Sequence, residues 1–237
     1  MNNQEFDQHN IVKGFDRIAR RYDQGNDAMT LGLHRKWRQG LCREALRELK
    51  KDSRVLDLAT GTCDVILELL RRRPDLSITG LDPSEGMLEV GAQKLQQRDV
   101  HADLVVGDAR TLPFASESFD VVTMAWGIRN VVPYQEGLAE IFRVLRPGGR
   151  CYLLESGTPE NVWVNGFYQQ YSRLLPLIGG KVTGYKRAYE YYQESVNRFP
   201  SGQDFLEKLA LAKFCEATYR GYFGGIVYLY QARRGAS

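Results

Sequence analysis

The sequence predicts an α/β protein: a doubly wound, mostly parallel sheet with an antiparallel C-terminal hairpin and a helical cap. Three observations carry that expectation. Short apolar runs alternate with helical periods from Arg54 to Ser156, the pattern of buried parallel strands joined by crossover helices. The rhythm breaks after Pro159, where aromatic and aliphatic residues recur at helical spacing. Finally, the closing stretch TYRGYFGGIVYLYQARR reads as two strands about a glycine turn.

Taken in order, Phe15, Ile18 and Tyr22 fall on one face of an N-terminal helix, with charges between them. A second helix is expected from Leu33 to Leu49, with Leu41, Ala45 and Leu49 on its stripe. RVLDLA is the first strand, followed by the helix DVILELLRRR, whose arginines suit the negative end of the helix dipole. SITGLD (residues 77–82) leads into SEGMLEVGAQKL, and DLVVGD (103–108) leads through a loop into SFDVVTMAW (118–126). The helix EGLAEIFRVL, a turn at RPGG and the strand RCYLLES complete the series. Two helices are expected over 160–200, and one more after the PSG at 200–202. With no internal repeat or linker, the expectation is one domain over 1–237: N-terminal helices (1–50), a cofactor-binding core (51–157), a helical substrate cap (158–202) and a final helix with two strands (203–237).

A hydrophobic content of 43% and a charged content of 26% fit a globular chain able to bury a core. The net charge of +3, without a block of five like charges, gives no electrostatic footprint for nucleic acid. Cys42, Cys63, Cys151 and Cys215 are scattered, so neither a disulfide framework nor a metal site is expected. The polar start MNNQEFDQHN is no secretory signal, and no apolar run spans a bilayer. A cytoplasmic protein follows, at most resting on the inner face of a membrane.

The informative loop is DLATGTCD, at the carboxyl end of the first strand, where open α/β sheets bind ligands. Its small residues, Ala59, Gly61 and Cys63, fall in steps of two. A dinucleotide loop needs G-x-G-x-x-G, and a P-loop needs G-x-x-x-x-G-K-[ST]; neither is present. Asp57, Asp82 and Asp108 lie at or near three successive strand ends, Asp82 about 20 residues past Gly61, the distance at which a carboxylate meets ribose hydroxyls. Asp108 is placed to accept from an adenine amino group. Each aspartate alone could cap a turn. Together, with no phosphate clamp, they suit a cationic nucleoside such as S-adenosylmethionine.

VLDLATGTCD, GLDPSEGML, GDARTLPF, SFDVVTMAWGIRNV and RVLRPGG together resemble class I S-adenosylmethionine-dependent methyltransferases, which have a Rossmann-like fold. More narrowly, FDRIARRYDQGND, LGLHRKWR, WGIRNV and LLPLIGG…YEYYQESVNRFP resemble the demethylmenaquinone and ubiquinone-pathway C-methyltransferases over nearly the whole chain. The resemblance implies a cofactor held by Asp57, Ala59, Gly61, Thr62, Asp82, Pro83, Asp108, Ala109 and Ala125. Ala125 stands where relatives often have a serine contact, so any bond there comes from backbone. Tyr230 stands where relatives commonly have a histidine, and Cys63 where they often have glycine.

The implied substrate is a prenylated quinol, demethylmenaquinol before its benzoquinol counterparts. The reduced ring is required because the oxidised quinone is electron-poor. A phenol pKa near 10 means the hydroxyl must be polarised or deprotonated. Arg129 is assigned that electrostatic work, against the alternative of a structural salt bridge beneath its loop. Asn130 orients the ring or Arg129; Tyr22, His34 or a water takes the proton. The stripe Trp163, Phe167, Tyr171, Leu174, Leu175 and Ile178, with Arg173, Lys181, Lys186 and Arg187 nearby, is either a cap buried on the sheet or a greasy entrance touching anionic lipid. A homodimer is a further expectation. The rivals are a methyltransferase for another small hydrophobic acceptor, a nicotinamide-dependent oxidoreductase and a non-catalytic partner-binding domain.

Overall fold

The structure, a computed structural model, describes residues 8–236. The expectations for the first seven residues lie outside that range, and within it the side chain of Leu175 is not among those described. The apolar runs become parallel strands: β1 (Arg54–Leu58), β2 (Ser77–Asp82), β3 (Asp103–Val106) and β4 (Phe119–Ala125). β1 is flanked by β2 on one side and β4 on the other, so the strand order reverses between β1 and β4. This is the topological switch point at which such sheets open a ligand crevice.

Three elements complete the sheet, in the order β3-β2-β1-β4-β5-β7-β6. β5 (Leu145–Ser156) is parallel to β4, and β7 (Val227–Arg234) is antiparallel to β5 and to β6 (Phe214–Tyr222). The expected turn at RPGG is instead a bulge inside β5. Leu145 pairs with Phe119 before it and Arg150 with Val121 after it, so the extra residues are looped out without ending the strand.

Each face of the sheet has its own core. On one, α3 (Leu33–Glu48), α4 (Asp64–Arg72) and α5 (Glu85–Gln97) bury Leu41, Ala45, Ile66, Leu69 and Leu95. On the other, α6 (Tyr134–Val144) and α10 (Gln203–Leu211) bury Leu138, Ile141, Phe205 and Leu209. Leu41 is fully buried, and truncation to alanine would cost about 2–5 kcal/mol. α5 starts on a side-chain cap: Ser84 Oγ accepts from Met87 N at 3.1 Å.

The N-terminal face is α1 (Gln8–Ile18) and α2 (Tyr22–Thr30), separated by a 3₁₀ turn at Ala19–Arg21 rather than continuous through Tyr22. α1 is tied to the α5 N-terminus by Asp16, whose Oδ1 accepts from Ser84 Oγ at 2.5 Å and Gly86 N at 3.1 Å. The cap has three helices, not two: α7 (Val162–Ser172), α8 (Leu175–Thr183) and α9 (Lys186–Arg198). Gly184, at φ +76°, closes α8 in the left-handed conformation and splits the second expected helix. The α7 stripe is not buried on the sheet: Trp163 is 82% and Phe167 80% exposed, while Tyr168 and Ser172 face inward. Among the described residues no helix is long and apolar enough to cross a membrane.

Candidate active site

Two cavities meet at the carboxyl ends of the strands. The smaller, about 70 Å³, is lined by Ala59, Gly61, Asp82, Pro83, Asp108, Ala109 and Ala125, with Tyr22 and Asn130 at its side. The larger, about 980 Å³, lies beneath the N-terminal and cap helices and includes Tyr22, His34, Arg129, Tyr168, Tyr191 and Tyr192. Ile11, Phe15, Tyr22 and Trp126 are walls of both. A ligand in one can therefore face a ligand in the other across these residues.

The three aspartates do different work. Asp82 Oδ2 accepts from Gly61 N and Oδ1 from Ser84 N, each at 2.9 Å. Burial pushes its carboxyl up to about 6, against those two backbone bonds. Each carboxylate oxygen keeps acceptor capacity, so Asp82 fits a group presenting two neighbouring hydroxyls. Asp108 is held by Arg110 through Nε (3.0 and 3.1 Å), Nη2 (2.6 Å) and backbone N (2.8 Å). Burial alone would raise its carboxyl, but Arg110 outweighs it and holds the group below its ordinary value. Asp108 therefore lines the cleft as half of an ion pair, not as a bare acceptor.

Asp57 is not at the cleft surface. Its oxygens accept from Thr60 Oγ1 at 2.6 Å and Thr123 Oγ1 at 2.7 Å, joining the loop to β4. Burial pushes its carboxyl up to about 7. Thr62 is also turned away: its Oγ1 donates to Asp23 at 2.9 Å and accepts from Lys94 at 2.8 Å. Lys94 bridges Asp23 (2.5 Å) and Asp64 (2.8 Å), and Arg38 pairs with Asp64 at 3.0 Å. This ionic knot fixes α2 to α4 and α5 beneath the loop. Both residues, predicted as cofactor contacts, shape the loop from behind.

Cys63 has left-handed backbone, φ 64°, which explains why glycine suits the position. Its thiol fills the space over Gly91 on α5; a Cβ at Gly91 would overlap the sulfur. The two residues are complementary. Tyr230 lines neither cavity. Its hydroxyl accepts from Gly202 N at 2.7 Å, and its ring lies 4.7 Å from that of Phe205 within the core.

Arg129 follows β4 on a 3₁₀ turn, and it is held from three directions. Nη1 donates to Glu155 Oε1 at 2.5 Å and to Trp126 O at 3.0 Å, Nε donates to Ser195 Oγ at 3.2 Å, and the guanidinium lies 5.0 Å from the Tyr192 ring centre. Glu155 is the penultimate residue of β5 and is fully buried. Burial opposes the charge on Arg129, but Glu155 overrides it and raises the guanidinium pKa. The salt bridge considered as an alternative is thus present, and Arg129 still lines the large cavity. Nη2 has no hydrogen-bond partner among the described residues. No buried side-chain N or O there lacks a partner, so this donor is reachable from the cavity.

Asn130 donates to Trp126 O at 3.1 Å and accepts from Tyr191 Oη at 3.1 Å. His34 shares a 2.7 Å hydrogen bond between Nδ1 and Thr30 Oγ1. Burial pushes its pKa down to about 4, with Arg38 adding to the effect, so it is neutral and weakly basic near pH 7. Tyr22 is partly buried, and desolvation there raises its phenol pKa. It suits a donor role better than that of a base.

The residues not anticipated are Glu155, Ser195, Tyr191 and Tyr192. Glu155 carried the same mark as Asp57 and Asp82, an acidic residue closing an apolar strand. The other three lie in YEYYQESVNRFP, a stretch distinctive for its resemblance but without assigned roles.

Residues 3–234 match the model of the ubiE/COQ5 methyltransferase family. The chain belongs to that family. Two curated members are similar to it: the ubiquinone/menaquinone biosynthesis C-methyltransferase of Geotalea daltonii, 40% identical over 94% of this chain and 96% of its own, and that of Dinoroseobacter shibae, 38% identical over 95% and 91%. Among solved structures, a SAM-dependent methyltransferase from Thermotoga maritima superposes with TM-score 0.59 at 18% identity, covering 94% of this chain and 99% of its own. The phosphoethanolamine N-methyltransferase 2 of Haemonchus contortus, in complex with S-adenosyl-L-methionine, gives TM-score 0.62 at 16% identity over 82% and 52%. This chain therefore has the fold of these methyltransferases, a mostly parallel sheet closed by an antiparallel hairpin.

Proposed function

We propose that the protein transfers a methyl group from S-adenosylmethionine to a ring carbon of a reduced prenylated quinone, demethylmenaquinol first among them. The family membership supports the reaction class. The observation that carries the reading is the pair of cavities sharing Tyr22 and Trp126: a small cleft with an uncompensated carboxylate, and a large aromatic cavity beside it. The residues of the small cleft fit the cofactor. Asp82 has acceptor capacity for ribose hydroxyls, and the small side chains of Ala59 and Ala125 leave the floor open. When bound, the cofactor supplies an electrophilic methyl on a sulfonium.

The quinol is placed in the large cavity with a hydroxyl toward Arg129 Nη2. Because Glu155 neutralises Arg129, the residue works through a directed N–H rather than through net charge. The pair also prevents Arg129 from acting as a base. His34 and Tyr22 are both poor proton acceptors here, so a cavity water is assigned that part. Asn130, pinned by Trp126 and Tyr191, orients the ring, and alignment of carbon with methyl supplies the larger share of the rate.

The cap's exposed Trp163, Phe167, Leu174 and Leu177 are assigned to membrane lipid, with Lys181 and Arg173 serving anionic headgroups. Sedimentation with anionic vesicles tests this: salt-sensitive binding is expected, whereas a dimer without lipid binding would assign the face to a second copy.

The enzymatic test is incubation of purified protein with methyl-labelled cofactor and chemically reduced demethylmenaquinone. Label on the ring carbon is expected; absence of transfer to any quinol would refute the reading.

A further inference from the structure

The large cavity is not uniform along its length. One end is polar, with Lys13, Arg17, Arg187 and Glu190; the other is apolar, with Leu31, Leu33, Trp37, Phe223 and Ile226. The apolar end lies between the α2–α3 turn and the β6–β7 turn. At its rim sit Leu31, which closes α2 in left-handed backbone, and Phe223 in the β6–β7 turn; chain reversal accounts for the backbone at both but not for a large exposed apolar side chain on it. Leu31 has φ 50° and is 87% exposed; Phe223 has φ 49° and is 60% exposed.

A left-handed backbone favours glycine or asparagine, and a bulky side chain there is strained. A large apolar side chain on the surface gives up burial as well. Each feature alone is ordinary, since scattered exposed apolar residues need no explanation. Both features coincide at two sequence-distant residues, and both residues line the same end of one cavity. Strain and exposure retained together at a cavity mark a ligand contact.

The rim is tied to the cap. Tyr171 Oη donates to Met29 O near the end of α2, and Val164 packs against Gly224 beside Phe223. α7 thus lies across both turns, and its exposed Trp163 and Phe167 belong to the same helix. Inside the rim, the Trp37 and Phe223 rings meet edge to face with centroids 5.9 Å apart.

The geometry points to a tail-exit subsite: the isoprenoid chain of the acceptor leaves the cavity between Leu31 and Phe223, over Trp37. This rests on the proposed quinol methylation and adds direction to it. The ring sits by Arg129, and the tail runs away from Lys13 and Arg17 toward the exposed side of α7. Preference for long-tailed acceptors is then set at this rim rather than at the ring pocket.

The test uses Leu31→Asn combined with Phe223→Asn. Asparagine tolerates the left-handed conformation and so preserves both turns while removing the apolar contact. The kcat/KM for a long-tailed demethylmenaquinol is compared with that for tail-less 1,4-naphthohydroquinone, in wild type and variant. The subsite predicts that the ratio of long-tailed to tail-less kcat/KM falls at least tenfold in the variant, with Tm held. An unchanged ratio in an active enzyme overturns the subsite alone. Failure of the wild type to methylate either quinol overturns the proposed function, and the subsite with it.

Discussion

Asp82 gives the most direct pH test of how the donor is held. Its two oxygens accept from Gly61 N and Ser84 N, and burial lifts its carboxyl to about 6. In the proposed site, ribose hydroxyls would donate to this carboxylate, so only the ionised form would bind fully. The apparent Kd then scales with one plus the ratio of protonated to ionised Asp82, a factor of about 1.1 at pH 7 and about 11 at pH 5. Affinity for S-adenosylhomocysteine should therefore fall about tenfold between these values, equivalent to about 1.4 kcal/mol. Asp108 is held acidic by Arg110 and does not titrate in the window. Asp57 titrates near 7, but its oxygens are taken by Thr60 and Thr123. Asp82→Asn is the control. It should bind about 10- to 150-fold more weakly at pH 7, from loss of hydrogen bonds to a charged acceptor worth about 1.5–3 kcal/mol, and its pH slope should be flat. Titration calorimetry measures both. A wild-type Kd that is constant from pH 7 to 5, or an Asp82→Asn variant that keeps the tenfold slope, would refute the assignment.

Three other predictions follow from particular contacts. Glu155→Gln leaves the Arg129 charge buried without its partner; the expected loss is about 3–5 kcal/mol, a Tm drop of roughly 6–20 °C by calorimetry, with turnover reduced as well. His34 is depressed to about 4 from an ordinary 6.5, so the unfolded chain takes up its proton first and stability is lost as pH falls through that window. His34→Gln should therefore gain about 2 kcal/mol relative to wild type between pH 7 and 4.5 in urea unfolding. Gly91→Ala should cost about 1–3 kcal/mol by collision with Cys63 Sγ, and Cys63→Gly should recover most of it, a coupling that a double-mutant cycle reads directly.

The sheet was legible because its signal is local and repeated. β1, β2 and β4 are short apolar runs with an acidic or small residue at the carboxyl end, and that alternation has one common solution. Where the reading slipped, a single backbone feature decided. Gly184 in left-handed conformation cut one expected helix in two, and the 3₁₀ turn at Ala19–Arg21 broke the N-terminal one. The RPGG stretch has the composition of a turn, but β4 holds Leu145 and Arg150 in one ladder, with β7 pairing from Arg150 onward, and pairing of this kind is not encoded in four residues. The α7 stripe has a core-like period, yet only structure reveals that Trp163 and Phe167 have nothing packed over them.

The site was legible to the extent that a residue's role follows from its place on a strand. Asp82, at the end of β2, lines the small cleft as its place on the strand leads one to expect. Asp57 and Asp108 bear the same mark and act differently, because the deciding partners, Thr123 in one case and Arg110 in the other, are set by packing of the neighbouring strand and loop. Arg129 shows the limit most clearly. In sequence it is one cation after β4, open to reading either as catalyst or as salt bridge. The fold forms the salt bridge and also sets Arg129 on the wall of the large cavity, because Glu155 arrives from β5 and Ser195 and Tyr192 from α9. The core strand supplies the counter-charge, and the cap helix fixes the guanidinium plane, leaving Nη2 toward the cavity. Arg129 can therefore be presented correctly only when the cap is docked on the sheet. In the proposed reaction, the helix that would cover the acceptor also positions the group that would polarise it, so acceptor enclosure and activation would be coupled through α9.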